Sequence, residues 1–397
     1  MRPESVGRRG LAGARRRGLV GVLERGWSGE AGSIPWTRAL LPAAAVYAAA
    51  SARARSRAAD ARRSLPGLYV ISIGNLTVGG TGKTSLARWL ALQAMELGAS
   101  PAVLLRGHGA IRRDRDTDVV PDLDGYPLVQ AVDRLGDEAA AHRAALPRGA
   151  TVVVDRDRYR GARAAQSGYG ARVAILDDGW EQGGLRWDEL WVTLDPDRPQ
   201  GNGLVLPAGP LRRPASTLRE ASVIAFVMEE AGVELPAATK SWVAARAPGV
   251  PMLRFRRHLD GTSAIGERTA EPWGAGAPPA GLLSGVGAPA RLERFARASG
   301  IRLASHSVFP DHVRWSADAV ASALRSASGA GAAIALITEK DEPRWPGGLS
   351  STLPVRVLRA SLRPLDPVEG ALARLRAAAA ATPPIGRISR TEGPDGR

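Results

Sequence analysis

The chain of 397 residues contains no cysteine. That excludes a disulfide framework, a thiol nucleophile, an iron–sulfur cluster and a Cys-ligated zinc site. Lysine is almost missing as well. Of 54 basic side chains only Lys83, Lys240 and Lys340 are lysine, and the other 51 are arginine. A single arginine therefore says little in this background, whereas each lysine stands out. Histidine occurs only at positions 108, 142, 258, 306 and 312. The uncharged run at residues 39–52 has 14 residues, short of the about 20 needed to span a bilayer. The Arg-rich start lacks the leucine-rich core of a secretory signal, and the chain shows no internal repeat.

What is present suits a globular protein. Apolar residues make up 44% and charged residues 23%, and the length fits two domains. The net charge of +15 is concentrated at the start, where residues 1–65 hold 13 Arg against Glu4, Glu24, Glu30 and Asp60. Such an excess fits an anionic partner, nucleic acid or an acidic membrane surface, and fits equally a solvated tail. Residues 39–52 predict an apolar helix, with Trp36 and Arg38 before it and Arg53, Arg55 and Arg57 after it. It can lie in a membrane interface or pack on the protein body.

From Leu68 onward, short continuous apolar runs alternate with helical stretches, which predicts a parallel sheet covered on both faces. Strands are expected at 68–73, 102–105, 151–155, 173–177 and 222–228, with a helix from Lys83 to about Gly98. Met252–Phe255 and a turn at Asp260-Gly261 suggest a small hairpin. A second α/β unit begins at Gly281, with a helix near 291–299 and a strand at 333–338. The expected organisation is α/β with two Rossmann-like lobes. A basic tail (1–35) and a membrane-associated helix (36–65) precede a P-loop lobe (66–231), a short β hinge (232–280), a second lobe (281–381) and a disordered end (382–397).

The strongest chemical signal is Gly74-Asn75-Leu76-Thr77-Val78-Gly79-Gly80-Thr81-Gly82-Lys83-Thr84. Between a strand and a helix start, glycines let backbone N–H groups curl around a phosphate, and the helix N-terminus adds partial positive charge. Gly79, Gly80, Thr81 and Gly82 would form that cradle. Lys83 would reach the β/γ-phosphates of ATP, and the Thr84 hydroxyl would ligate Mg²⁺. Thr77 stands where the strict motif has glycine. Asp177 and Asp178, ending an apolar strand, are placed to hold the metal. Asp137 and Glu138 begin a helix, where an acid suits the helix dipole. His312 follows Phe309-Pro310-Asp311, and an Asp held by a His would supply the base that a hydroxyl nucleophile needs.

Seven motifs in order resemble the tetraacyldisaccharide 4'-kinases: GNLTVGGTGKT, LLRGHG (Leu104–Gly109), GDE (Gly136–Glu138), LDDG (Leu176–Gly179), PAGPLR (Pro207–Arg212), FPDH (Phe309–His312) and TEKD (Thr338–Asp341). The resemblance runs from about Trp36 to Asp341. It implies a lipid A 4'-kinase at the cytoplasmic face of the bacterial inner membrane, with two lobes and a membrane-resting helix. Its ATP-dependent reaction would phosphorylate the 4'-hydroxyl of an anionic tetraacyldisaccharide 1-phosphate. Carried over by motif, Lys83 and Thr84 hold phosphate and Mg²⁺, Asp177 and Asp178 serve the metal, and Asp137 is the base, supported by His312. Arg158 and Arg212 are expected on phosphate.

Four residues depart from the family pattern: Glu181 and Gln182 after Asp-Asp-Gly-Trp, Arg213 where the family has Glu, and Val313 in place of a second His. Glu181 and Arg213, an added acid and an acid-to-base exchange, are candidates to compensate each other. Two other readings are a P-loop switch ATPase and a nucleotide-binding membrane scaffold. Neither a nucleic-acid recognition motif nor a sign of an obligate protein partner is present.

Overall fold

The computed structural model describes Trp27 and residues 35–107, 117–120, 132, 134–229, 232–310, 314–346, 349, 351 and 353–381. Its centre is β1 (Tyr69–Asn75), a strand buried almost throughout because both faces are covered. The glycine loop leads from β1 into α3 (Lys83–Glu96). β2 (Pro101–Leu105) and the short β3 (Asp118–Val120) follow, then α4 (Asp137–Ala145), β4 (Thr151–Val154), α5 (Arg158–Tyr169) and β5 (Val173–Leu176). β6 (Glu189–Leu194) and β7 (Val223–Met228) complete this half. β5 and β6 flank β1, all three parallel. The apolar runs at β2, β4 and β5 are buried along their whole length, as expected for parallel strands between two helical layers. On one face Ile71, Leu90, Val103 and Ile175 form a core with Trp89, whose ring meets Phe255 edge-on at 4.8 Å.

The second half contains α6 (Ala237–Ala244), β8 (Met252–Ser263), β9 (Ala280–Ser284), α7 (Pro289–Ala298), β10 (Leu303–Val308) and α8 (Ala317–Gly329). β11 (Ile334–Thr338), β12 (Val355–Pro364) and α9 (Ala373–Ala380) end it. All twelve strands form one sheet, ordered β10-β9-β11-β12-β8-β7-β6-β1-β5-β2-β4-β3. β8 joins the halves: Met252–Arg256 run parallel to β7, and Phe255–Ser263 run antiparallel to β12. The tight hairpin expected at Asp260-Gly261 is therefore corrected. The chain continues through these residues with a bulge opposite Arg359 and Ala360, because β12 pairs with both sides of them. Gly261, at φ 144°, has the Glu271 carbonyl where a Cβ would lie.

Before β1 lie the short α1 (Pro35–Ala39) and α2 (Leu41–Asp60). Ala44, Tyr47, Ala48, Ser51, Arg55 and Ala58 of α2 are buried or half-buried, at helical spacing. The Tyr47 hydroxyl donates to the Arg212 carbonyl at 3.2 Å, and Ala58 lies against Gly183. The opposite face leaves Val46 70% exposed, together with Arg53 and Arg57. One helix thus combines a packed stripe with an open apolar and basic stripe. No helix among the described residues is long and apolar enough to cross a membrane.

Candidate active site

The glycine loop opens at the carboxyl ends of the parallel strands, where ligands of such sheets bind. Gly82 has φ 95°, and a Cβ there would fall 2.6 Å from Cγ2 of Val227. Only glycine allows α3 to begin this close to β7. Thr81 and Thr193 share a hydroxyl hydrogen bond of 2.7 Å, and Thr193 also donates to the Gly74 carbonyl. Asn75 clamps the loop, its Nδ2 donating to the carbonyls of Thr77 (2.6 Å) and Gly79 (3.3 Å). Its Oδ1 receives Lys83 Nζ at 2.9 Å. A strand-end Asn has no distinctive spacing, so the sequence alone gives Asn75 no role.

Lys83 also lies 3.5 Å from Asp178 Oδ1, and Arg212 reaches both carboxylate oxygens of Asp178 at 3.1 Å. Asp178 sits at φ 56°, a left-handed conformation that Asp tolerates better than most residues. Asp177 is buried beside it. Its Oδ2 lies 2.9 Å from Nε2 of His142. Burial raises the Asp177 pKa, but the His142 hydrogen bond, the Lys83 charge and the nearby Thr84 hydroxyl outweigh burial and hold it below the usual carboxylate range. Burial pushes the His142 imidazole down, against the pull of Asp177. His142 was seen in the sequence only as one of five histidines.

These residues line a cleft of about 460 Å³ between the halves. One wall carries Gly79–Ser85, Glu138, Asp177, Asp178 and Arg212. The other carries Val286–Ala288, Arg291 and the Thr338–Lys340 strand end. Arg291 reaches across to Asp195 (3.3 Å) and Glu229 (3.0 Å) and to the Gly80 carbonyl (3.4 Å).

Asp137 begins α4, with Oδ1 accepting the Glu138 N–H and Oδ2 paired with Arg344. Arg344 is buried and also donates to the Gly285 carbonyl at 3.0 Å, while Asp341 accepts the Gly285 N–H at 3.0 Å. Burial raises the Asp341 pKa. Arg344 was invisible among 51 arginines. His312, with Asp311 and Val313, lies outside the described residues, as does His108.

Arg158 is buried at the start of α5 and donates to the Asp155 carbonyl. Burial lowers its pKa to about 10, with Arg106 adding to that and Asp155, Asp177 and Asp178 opposing. It stands behind the two aspartates, beneath the cleft surface. The compensation expected between Glu181 and Arg213 is a direct ion pair of 2.8 Å. The buried Arg213 guanidinium also lies 3.8 Å above the Trp180 ring and 3.6 Å from Glu220.

The donor set of Thr84, Asp177 and Asp178 is all oxygen: a hydroxyl at the end of the glycine loop and two carboxylates after β5, all lining one cleft. Mg²⁺ takes one or two carboxylates plus substrate phosphate oxygens, so these residues fit it.

Comparison with known proteins agrees with this geometry. Residues 36–376 match the family model for tetraacyldisaccharide-1-P 4'-kinase. The tetraacyldisaccharide 4'-kinase of Methylobacterium sp. (strain 4-46) is 34% identical over 354 residues, 89% of this chain and 96% of the relative. That of Gluconacetobacter diazotrophicus is 36% identical over 350 residues, 87% and 94% of the two chains. A crystal structure of LpxK from Aquifex aeolicus in complex with ATP shares the fold. Its TM-score is 0.66 at 24% identity, covering 87% of this chain and 99% of that one. A chain matched over nearly the full length of such relatives, with its glycine loop and paired aspartates converging on one cleft, belongs to the tetraacyldisaccharide 4'-kinase family.

Proposed function

We propose that this lipid A 4'-kinase transfers the γ-phosphate of ATP to the 4'-hydroxyl of a tetraacyldisaccharide 1-phosphate, with Asp137 accepting the hydroxyl proton. The observation that carries the reading is the cleft itself: Lys83, Thr84, Asp177 and Asp178 meet on one wall, and Asp137 begins the helix that supplies Glu138 to it. Phosphoryl transfer needs positioning and charge neutralisation more than covalent chemistry. Gly79, Gly80, Thr81 and Gly82 cradle the phosphates with backbone N–H groups. Lys83, already oriented by Asn75, neutralises charge on the transferred group, and Arg212 does so from beside Asp178 on the same wall. Thr84, Asp177 and Asp178 would hold Mg²⁺, which supplies charge neutralisation at the phosphate oxygens when bound. Arg158 adds positive potential from behind the aspartates. By its place in the FPDH motif, His312 would support Asp137.

The open stripe of α2, with Val46, Arg53 and Arg57, supports a peripheral position on the cytoplasmic face of the inner membrane. Its packed stripe rests on the Arg212 loop through Tyr47, so the lipid surface and the cleft share one wall. The test is substitution of the loop lysine. Lys83→Met and Lys83→Arg are both expected to lower kcat at least about 100-fold. Full activity in Lys83→Arg contradicts the assignment of Lys83.

A further inference from the structure

We propose that His142 is a positioning residue for Asp177, fixing the carboxylate that serves the metal through a hydrogen bond from Nε2–H. The proposal rests on the reading of Asp177 as a metal-side carboxylate.

His142 is fully buried, and its Nε2 lies 2.9 Å from Asp177 Oδ2. A carboxylate oxygen only accepts, so Nε2 carries the proton. Nδ1 is then a bare acceptor, and it has no hydrogen-bond partner among the described residues. Its α4 neighbours Ala139, Ala140, Ala141 and Ala144 are apolar and buried, the buried Arg143 is spent on the Leu146, Pro147 and Ala150 carbonyls, and Arg88 and Glu339 act on His142 only as charges. An aliphatic side chain would fill this place without stranding a nitrogen, so packing alone does not call for an imidazole here. Among the described residues, the one hydrogen bond its ring makes is to Asp177.

That contact has a geometric consequence. Asp177 follows β5, and its side chain is held from α4 by the His142 hydrogen bond. A directional donor on a neighbouring element fixes the rotamer of a buried carboxylate, and such outer contacts typically tune metal affinity by about 10–100-fold. His142 also sits five residues after Asp137 on the same helix, a rise of about 7 Å. A single rigid element therefore sets the proposed base and the metal-side carboxylate relative to each other.

The test is a Mn²⁺ titration, read by electron paramagnetic resonance, of the full-length protein saturated with a non-hydrolysable ATP analogue. The variants are His142→Leu, His142→Met, His142→Gln and Asp177→Asn. Removing the donor with Leu or Met is expected to weaken Mn²⁺ binding by about 10–100-fold. Binding of the analogue without metal should stay within about twofold, since the glycine loop is untouched. Gln, which keeps a side-chain N–H donor, should recover most of the metal affinity. Met serves as the reading if Leu fails to fold, as thermal denaturation will show. Wild-type Mn²⁺ affinity in the Leu or Met variant, alongside its loss in Asp177→Asn, overturns the role of His142 and leaves the site intact. Unchanged Mn²⁺ affinity in Asp177→Asn overturns the metal-side reading of Asp177, and the proposal with it.

Discussion

Arg213 illustrates how one side chain can absorb a change in a neighbour. Its buried guanidinium pairs with Glu181, approaches Glu220 and stacks on Trp180. Glu181 and Glu220 stay partly exposed, at 29% and 46%, so water screens the charge left behind, and Arg213→Ala is expected to lower stability by about 1–2 kcal/mol, largely through lost stacking on Trp180, measured by urea denaturation. Arg213→Glu should be worse, because it sets a third carboxylate beside Glu181 and Glu220. The double variant Glu181→Gln with Arg213→Glu removes one of those carboxylates and should recover part of the loss. A double variant less stable than Arg213→Glu would show that the two positions are not coupled. Asn75 is a second such case: Asn75→Ala frees both Lys83 and the loop carbonyls, and about a tenfold fall in kcat/KM is expected. An Asn75→Ala enzyme at wild-type rate would remove Asn75 from the site.

At the scale of elements, α2 makes a claim about surfaces. Its open stripe carries Val46, Arg53 and Arg57, and basic residues near an anionic membrane contribute about 1 kcal/mol each. Arg53→Glu with Arg57→Glu should therefore weaken binding to vesicles containing phosphatidylglycerol by at least about tenfold in a sedimentation assay. Val46→Glu should weaken it further, and unchanged sedimentation in both variants contradicts membrane seating through this face. A different element pair, β8 and the chain leaving β12, is tied by Asp366. It accepts from the Arg254 guanidinium at 2.7 Å and from the Arg254 backbone N–H at 2.6 Å. The Arg254 hydrogen bonds hold its pKa below the usual range. A depressed carboxylate contributes stability above its unfolded pKa of about 3.9 and loses it as pH falls through the folded value. Asp366→Asn should accordingly lower Tm at pH 7, and the gap to wild type should close as pH falls below about 3.9. A gap independent of pH would mean that Asp366 acts by packing and not by charge.

For the whole molecule, the joining of the halves decides the shape of the cleft, and arginines cross it. Arg88 pairs with Glu339 at 2.6 Å, Arg344 pairs with Asp137, and Arg291 meets Asp195 and Glu229. These crossings explain what was and was not legible in the sequence. The parallel core was legible because VISI, AVLL, TVVV and VAIL are continuous apolar runs that only a doubly covered sheet buries. The phosphate wall was legible because glycines before a Lys-Thr pair have one strong physical use. β8 read as a hairpin because Asp260-Gly261 favours a turn, and only the distant partner β12 extends the strand through it. Arg344 and Arg291 gave no signal in an arginine-rich background, and His142 sits inside an alanine-rich helix with no spacing to mark it. Long-range pairing, not local propensity, assembles those parts of the site.

The measurement that bears most directly on the central claim is product analysis by mass spectrometry after incubating the purified protein with Mg-ATP and tetraacyldisaccharide 1-phosphate in detergent micelles. The account predicts a product heavier by one phosphoryl group, located at the 4'-oxygen. It also predicts a loss of turnover of about 100-fold or more in Asp137→Ala, with ATP affinity retained. ATP hydrolysis without a phosphorylated lipid, or full turnover in Asp137→Ala, would contradict it.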